Sequence, residues 1–596
     1  FIRSDIRSLI DLGRAKFAVD AAFRANSTIA DVFADAYRRW PQKAALEYEE
    51  HRWTFADVEH RSNQVARWLQ SQGLGRGDVI ALVMQNRPEY VIMWLGAAKI
   101  GVVTALINYN LRSKSLQHSL SVAGCKLVLF GIECEDELRT VLATMPAGVP
   151  LYCQGGAVDF APSLDEILAS VDNAPIPPSA RKGVKSLDPA LLVYTSGTTG
   201  LPKAATLTHI RLFTMGRMFA VMFGIRATDR IFCVLPLYHS AGGICGVGMM
   251  MHGGATLVLR RKFSATSFWP DVRATRCTVI QYIGELCRYL LHVPPTPEDA
   301  KNDVRIAIGN GLRPEIWDEF QTRFDIPEIG EFYGSTEGNA ALMNRCRTKE
   351  AQGAVGRVGW LLKKLSGLRL VKFDLESETP VRGADGFCID CDVNEPGELL
   401  GRIDESDPIR KFAGYHSNKA ATNKKVIVDA FSKGDKYFRT GDLLRIDERG
   451  YVHFVDRIGD TFRWRGENVA TSEVSEVVSQ CPGVLEANVY GVQVPGKDGR
   501  ACMVALTVTE EFDAATLARL AAEHLPAYAR PLFLRILPSM QSTGTFKQQK
   551  VQLRTEGIDP AVVRDPLFIF NVDAGAFQPL TQEVFDELVA GQGPRL

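Results

Sequence analysis

Residues 194–203 bring together the groups that a phosphate-binding loop needs. They read Tyr-Thr-Ser-Gly-Thr-Thr-Gly-Leu-Pro-Lys and follow a short apolar run that is typical of a strand end. Backbone N–H groups of a glycine-rich turn can surround an anion, and the hydroxyl groups and the lysine add donors and charge. The Walker pattern GxxxxGK[ST] is absent, because Leu201 and Pro202 separate Gly200 from Lys203. The residues predicted to bind phosphate are Thr195, Ser196, Gly197, Thr198, Thr199 and Lys203.

A second set of nucleotide-binding groups follows in residues 333–338, which read Tyr-Gly-Ser-Thr-Glu-Gly. This segment offers an aromatic face for a base, a hydroxyl for a phosphate, and a carboxylate, Glu337, that suits Mg²⁺. Further along, Asp442 could accept hydrogen bonds from both hydroxyls of a ribose. Each signal is weak alone, because acidic loop residues are usually solvated and the loop at 194–203 would also fit a flexible surface turn.

Two segments nearer the C-terminal end add cations. Residues 456–468 contain Arg457 and Gly466, and residues 543–547 end in Lys547. A lone lysine is usually a solvated surface charge, so its meaning depends on the motifs that precede it.

Together and in this order, the motifs resemble the signatures of the adenylate-forming superfamily, and of its acyl-CoA synthetases, from Ala30 to Gln552. Ala204 and Ala205 follow Lys203 where most of that superfamily has glycine. Longer strings resemble one branch, the fatty acid transport proteins or very-long-chain acyl-CoA synthetases. These strings are residues 281–290, 309–314, 331–339 and 461–469.

The resemblance implies a ligase that activates a fatty acid in two steps. A carboxylate is a poor electrophile, so ATP first converts it to an acyl-adenylate and pyrophosphate is released. The thiol of coenzyme A then displaces AMP. Joining an anion to a polyanion requires Mg²⁺ and preorganised cations. The implied cofactors are therefore ATP, Mg²⁺ and coenzyme A, and the implied substrate is a long- or very-long-chain fatty acid.

The same resemblance implies a role for each site residue. Thr336 contacts the α-phosphate, and Lys547 bridges that phosphate and the reacting carboxylate. His239 forms a wall beside the carboxylate, although a lone histidine is more often a packed core residue. Thr195 and Glu337 bind Mg²⁺. The implied nucleotide-binding residues are the phosphate loop, Gly309, Asn310, Gly311, Leu312, Tyr333, Gly334, Ser335, Asp442, Arg457 and Gly466. The implied acyl tunnel is lined by Tyr282, Ile283, Gly284, Leu286 and residues 241–249.

The chain departs from the wider superfamily at three places. Gly459 occupies the hinge position where an Asp or Lys is usual, and glycine has the permissive backbone that a hinge could use. Asn468 stands where some relatives have an arginine that contacts phosphate. Thr545 and Phe546 separate Gly544 from Lys547, so Lys550 competes with Lys547 for the catalytic role.

Composition excludes several other classes of protein. The 596 residues include 69 Lys and Arg and 69 Asp and Glu, so no global field would attract nucleic acid. The 12 cysteines form no dense framework in a chain of this length. Cys388 and Cys391 form a lone CxxC with no second pair or nearby histidines, which favours strand or turn residues over a zinc site.

Two patterns bear on membrane contact. Val91–Ile107 carries Lys99 in its middle, and Ala241–Leu259 contains several glycines and His252, so neither predicts a membrane span. Phe1–Asn26 could form a basic amphipathic helix, for which packing against the body is the first interpretation and membrane-surface contact the second. We therefore expect a cytoplasmic protein, with peripheral attachment to the inner face of the cell membrane as an alternative.

Apolar runs alternate with helical patterns along most of the chain, which predicts an α/β protein with largely parallel sheets. A compact α+β unit follows residues 456–460. The resemblance implies that this unit is mobile. The predicted organisation is an N-terminal segment at 1–29, a large AMP-binding domain at 30–457 and a small C-terminal domain with a tail at 458–596.

Two rival functions remain open at this stage. The first keeps adenylation but changes the acceptor or the acid, as in an acyl-AMP ligase or a CoA ligase for bile-acid or carnitine-like acids. The second is a fatty acid uptake or transport protein that retains the fold without catalysis.

Overall fold

The computed structural model describes residues 2–145, 148–195, 202–359, 366–375, 377–465, 467–497, 499–540 and 550–594. The chain divides into two compact units. The first comprises Phe1–Leu368 and Gly401–Arg439, and the second comprises Arg369–Leu400 and Thr440–Leu596. The sequence predicts a different boundary, at 457/458, between the large domain and a mobile C-terminal domain. That boundary stays a prediction.

Two largely parallel sheets organise the first unit, as the alternating pattern predicts. Their central strands are apolar runs buried on both faces, which is the usual character of parallel sheets covered by helices. In the described chain, one sheet has eight strands in the spatial order Ala341–Cys346, Ile329–Gly334, Ile306–Asn310, Val279–Ile283, Arg230–Cys233, Thr256–Leu259, Ala44–Tyr48, His51–Thr54. The other has six, in the order Leu151–Gln154, Leu127–Gly131, Val79–Val83, Val103–Ile107, Pro189–Thr195, Lys203–Thr208. Among the strands that the structure describes, the antiparallel ones lie at the edges of these two sheets.

Helices connect and cover these strands, and several begin at side chains that cap the first turn. The Thr208 side chain, for example, accepts a hydrogen bond from the backbone of Arg211. The α-helices of the unit are Ile2–Arg24, Ile29–Arg39, Phe55–Ser71, Pro88–Ala98, Ser113–Ala123, Glu135–Arg139, Leu164–Ala169, His209–Met222, Val247–Gly253, Ala265–Ala274, Gly284–His292, Pro314–Arg323 and Lys419–Lys424. Short 3₁₀ turns lie at Ile132–Cys134, Leu142–Thr144, Pro178–Arg181 and Lys349–Ala351, and short strands at Gly356–Arg357 and Val426–Val428.

The glycine-rich stretch forms a π-helix, Ser240–Gly246, that continues into the helix Val247–Gly253. π-Helices are rare and concentrate at functional sites. Its glycines permit very close packing: a Cβ atom on Gly243 would lie 1.9 Å from the carbonyl oxygen of Leu237. The segment Ala241–Leu259 thus forms a buried helical stretch that leads into the strand Thr256–Leu259.

The second unit has a five-stranded sheet in the described residues, with the order Val484–Gln493, Arg500–Val508, Phe533–Ile536, Leu567–Asn571, Ala576–Pro579. Buried aliphatic side chains of this sheet pack against those of its helices. The helices are Thr471–Val478, Ala514–His524, Val551–Glu556 and Gln582–Val589. The remaining strands are Leu368–Asp374, Thr379–Pro380, Gly397–Arg402, Lys436–Ile446, Tyr451–Arg457, Phe462–Trp464 and Glu467–Val469, some of which continue from the first unit.

The described residues were considered for membrane-spanning helices and for clusters of metal ligands. None of their helices is long and apolar enough to cross a bilayer. They also contain no cluster of three or more His, Cys, Asp or Glu side chains that could hold a metal. Cys388 forms an isolated β-bridge with Arg382, as expected for a strand or turn residue.

Candidate functional site

The predicted phosphate loop joins two paired strands of the six-stranded sheet. Pro189–Thr195 and Lys203–Thr208 are antiparallel, and Thr195 lies opposite Lys203 in the register. The Thr195 hydroxyl donates to the carbonyl oxygen of Lys203 at 3.5 Å. The pairing brings two predicted phosphate-binding residues together at the ends of the loop. Ser196, Gly197, Thr198 and Thr199 lie outside the described residues.

Tyr415 ties this hairpin to the predicted metal ligand, and sequence reasoning did not identify it. Its hydroxyl donates to Glu337 Oε1 at 2.8 Å, and Lys203 Nζ lies 5.7 Å from the centre of its ring. Its backbone forms a β-bridge with Ala205. Burial and the Glu337 carboxylate raise the pKa of Tyr415 far above its usual value, so this hydroxyl stays a donor. The sequence signal was slight, because Tyr415 sits in an irregular segment far from Glu337.

Thr336 and Glu337 follow the strand Ile329–Gly334, at its carboxyl end. The Thr336 hydroxyl lies 2.8 Å from that of Ser240, which is next to His239 at the start of the π-helix. Thr336 and His239 therefore lie at the same end of the parallel strands, and their roles stay predictions. This edge, outside the carboxyl ends of parallel strands, is where ligands usually bind in such folds.

The predicted adenine-binding turn is held by a buried carboxylate that the sequence analysis did not single out. Glu331 accepts hydrogen bonds from the backbone N–H groups of Gly311 and Leu312, each at 3.0 Å, and from the Tyr282 hydroxyl at 2.6 Å. Gly311 has a left-handed φ of 79°, which glycine adopts without strain. An acidic residue inside an otherwise apolar strand was the available signal.

Glu331 should make stability depend on pH. Burial raises its pKa to about 7, although its three hydrogen bonds act in the opposite direction. Because the folded chain then holds a proton that the unfolded chain has lost, we expect the free energy of unfolding to fall as the pH rises from 4.5 to about 7. Denaturant titrations across that range should show the fall in wild type and a flatter profile in Glu331→Gln. Exposed Glu319→Gln is the control, and equal slopes in Glu331→Gln and wild type would refute the assignment.

The predicted acyl-tunnel residues surround the turn between the strand Val279–Ile283 and the helix Gly284–His292. Tyr282 and Leu286 are fully buried. A Cβ atom on Gly309 would lie 2.4 Å from the carbonyl oxygen of Tyr282, so only glycine fits there. Tyr282 thus packs against the predicted adenine-binding turn and donates a hydrogen bond to Glu331. Whether Tyr282, Ile283, Gly284 and Leu286 also line an acyl tunnel stays a prediction.

The second unit brings together the predicted ribose-binding pair. Asp442 and Arg457 lie opposite each other on paired antiparallel strands, with Oδ1 and Nε 3.9 Å apart. Gly441 turns the backbone before Asp442 with φ of 77°. Gly466 and Lys547 lie outside the described residues. Lys550, the competitor for the catalytic role, is held by Asp460 and Thr471.

The donor set of the first unit suits Mg²⁺. Glu337 supplies a carboxylate and Thr195 a hydroxyl, which are hard oxygen ligands. Mg²⁺ commonly keeps several waters and takes further ligands from substrate phosphates, so a site with few protein ligands is normal for it.

Family comparisons cover most of the chain. The model described as AMP-binding enzyme matches residues 33–402, and the model described as AMP-binding enzyme C-terminal domain matches residues 473–547. Long-chain fatty acid transport protein 2 of Rattus norvegicus is 45% identical over 569 residues, which are 94% of this chain and 90% of that protein. Long-chain fatty acid transport protein 1 of Mus musculus is 42% identical over 600 residues, covering 99% and 92% of the two chains.

Solved structures share the fold at low identity. The anthranilate CoA ligase AuaEII, in complex with anthranoyl-AMP, matches with a TM-score of 0.75 at 20% identity, covering 89% of this chain and 96% of that one. A benzoate CoA ligase from Burkholderia xenovorans matches with a TM-score of 0.74 at 22% identity, covering 88% and 99%. These matches confirm the predicted α/β architecture, with a large parallel-rich domain and a smaller C-terminal one.

Proposed function

Because the chain belongs to the AMP-binding enzymes and, within them, to the long-chain fatty acid transport proteins, we propose that it is a long- or very-long-chain fatty acid–CoA ligase. The reaction forms an acyl-adenylate from the acid and ATP, with release of pyrophosphate, and then transfers the acyl group to coenzyme A, with release of AMP. The observation that carries the proposal is the grouping of Thr195, Lys203 and Glu337 around Tyr415.

Each predicted site residue of the first unit has a distinct role in this reaction. The hairpin ends at Thr195 and Lys203 position the β- and γ-phosphates, with the intervening loop supplying further donors. Thr336 donates to the α-phosphate, whose negative charge grows as the acid attacks. Bound Mg²⁺ would neutralise the polyphosphate charge, with Glu337 and Thr195 as its protein ligands.

Two groups of residues are assigned to the adenosine. The turn Gly309–Leu312, fixed by Glu331, and the half-buried Tyr333 offer a flat surface for adenine. Asp442 accepts hydrogen bonds from the ribose hydroxyls, and Arg457 holds that carboxylate in place. Lys547 bridges the reacting carboxylate and the α-phosphate.

The long apolar substrate is inferred from the names of the relatives together with the apolar surroundings of His239. Ser240 and residues 241–250 are buried, and the strand Val279–Ile283 lies beside them. We infer that the acyl chain runs along these two elements, with His239 at the carboxylate end.

Assays of the same purified protein distinguish two other candidate functions. An acyl-AMP ligase would release pyrophosphate but form no acyl-CoA, and a transport protein without catalysis would release no pyrophosphate. Our proposal requires pyrophosphate release that depends on ATP and a long-chain acid, followed by stoichiometric AMP and acyl-CoA when coenzyme A is added.

We also propose that the N-terminal helix attaches the protein peripherally to the inner face of the cell membrane. Ala15, Val19 and Ala22 of helix Ile2–Arg24 are buried, and Val19 and Ala22 pack with Ile210 of the first unit. The opposite stripe exposes Phe17 (71%) and Ile10 (49%), with Arg14 between them. Apolar and basic side chains in one stripe suit an anionic lipid surface. Both interpretations of Phe1–Asn26 are thus combined in one helix.

Phe17→Glu should lower the fraction of protein that floats with vesicles of phosphatidylcholine and an anionic phospholipid by several-fold. It places a charge at the most exposed apolar position of the stripe. Val562→Glu is the matched control, since Val562 is also exposed (56%) but lies in the second unit. Flotation unaffected by Phe17→Glu, or equally reduced by both variants, would contradict attachment through this helix.

A further inference from the structure

Residues 457–461, here called the hinge segment, begin at the predicted ribose-binding residue Arg457 and include the predicted hinge residue Gly459. Lys550 holds this segment from the C-terminal side: its Nζ lies 3.3 Å from Asp460 Oδ2 and donates to Thr471 Oγ1 at 3.0 Å. The Lys550 and Asp460 side chains are only 18% and 20% exposed. Fully exposed ion pairs contribute little, but this pair is largely shielded from water and has a third partner.

Further contacts fix this segment and the residue that precedes it. Arg554, in the helix Val551–Glu556, donates from Nη1 to the carbonyl oxygen of Gly459 at 3.0 Å. Asp456, immediately before the segment, accepts from Thr471 N at 2.5 Å and Thr471 Oγ1 at 3.1 Å. Burial raises the pKa of Asp456, while the charge of Lys550 acts against this rise. Lys550 and Arg554 therefore hold the hinge segment at Asp460 and Gly459, and Thr471 holds the residue before it, Asp456.

This arrangement bears on the lysine predicted to act in adenylation. Lys550 lies three residues after Lys547, and three residues span at most about 11 Å. A lysine anchored at position 550 thus restricts where Lys547 can go. Restricting a reacting group before the reaction removes part of the entropy cost of the transition state.

We propose that Lys550 is a positioning residue: its pair with Asp460 anchors position 550, three residues after Lys547, to the hinge segment and thereby supports adenylation. The kinetic part of this inference rests on the proposed function, whereas the anchor itself does not. Lys550 accordingly has a role distinct from that of Lys547, which touches the reacting oxygens.

Hydrogen exchange tests the anchor without turnover. The amides of Ile458, Asp460 and Thr461 donate to backbone carbonyls within the second unit. Lys550→Met and Asp460→Asn should each speed exchange in this segment at least several-fold, with no change in the strand Arg500–Val508. Lys497→Met, at an exposed lysine of the same unit, is the control. Wild-type exchange in both anchor variants would overturn the proposal.

A double-mutant cycle tests the kinetic consequence. Each single variant should lower kcat for pyrophosphate release by about tenfold with little change in KM for ATP, and the double variant should be no slower than either. Lys550→Arg should recover most of the rate. Conversion of supplied acyl-adenylate to acyl-CoA should stay near wild type. Multiplying effects, or equal loss of both half-reactions, would overturn the positioning role. A wild type that releases no pyrophosphate would instead refute the proposed function, while the exchange result would stand.

Discussion

Replacing Lys547 by alanine is expected to slow pyrophosphate release by about two orders of magnitude, a loss of about 3 kcal/mol in the transition state. The reacting carboxylate and the α-phosphate are both anionic, so a cation between them is felt most as the new bond forms. The second half-reaction, from supplied acyl-adenylate to acyl-CoA, does not build this charge. It should therefore proceed at nearly the wild-type rate, which single-turnover assays of each half-reaction measure.

Lys550→Ala is the matched comparison for this prediction. Its ammonium group already binds Asp460 and Thr471, so its loss should slow adenylation far less than the loss of Lys547. If Lys547→Ala adenylates normally and Lys550→Ala does not, the two residues between Gly544 and Lys547 have displaced the catalytic lysine to position 550. Equal losses in both half-reactions would indicate a shared or structural role.

Glu337→Gln is expected to lower pyrophosphate release by about 100-fold at limiting Mg²⁺, because a neutral amide is a poor ligand for a hard cation. Raising the Mg²⁺ concentration should restore part of the rate. The measurement is the initial rate of pyrophosphate release as a function of Mg²⁺ at fixed ATP and acid. Wild-type dependence on Mg²⁺ in this variant would remove Glu337 from the metal site.

Tyr415→Phe tests how much the orientation of the Glu337 carboxylate matters while its charge is kept. It removes the hydroxyl that donates to Glu337 but keeps the ring beside Lys203. Groups that orient a metal ligand commonly change metal affinity by about 10- to 100-fold, so this variant should need more Mg²⁺ yet reach a near-normal maximum.

Local patterns in the sequence predicted most of the elements that build the site. The apolar run before Tyr194 lies in the strand Pro189–Thr195, and the alternating pattern appears as two largely parallel sheets with helices between their strands. These elements follow from apolar periodicity and turn residues over short stretches. The pairing of Thr195 with Lys203 and of Asp442 with Arg457 then follows from two antiparallel hairpins.

Contacts between residues that are far apart in the sequence could not be predicted. Tyr415 and Glu337 are 78 residues apart, and Lys550 and Thr471 are 79 apart. Nothing in the residues around Tyr415 indicates which acid it will meet, since that depends on the packing of the hairpin against the segment that follows the strand Ile329–Gly334. Glu331 shows the same limit: its charge was visible in the sequence, but the two backbone N–H groups that it holds were not.

The most direct test of the proposed function is kcat/KM for pyrophosphate release across straight-chain acids from acetate to very long chains, with benzoate included, followed by addition of coenzyme A. Each methylene buried is worth about 0.8 kcal/mol, or about fourfold in kcat/KM, until the tunnel is full. We predict a steep rise with chain length, and AMP and acyl-CoA formed in equal amounts once coenzyme A is present. Highest activity on acetate or benzoate, or no pyrophosphate release with any acid, would contradict the assignment.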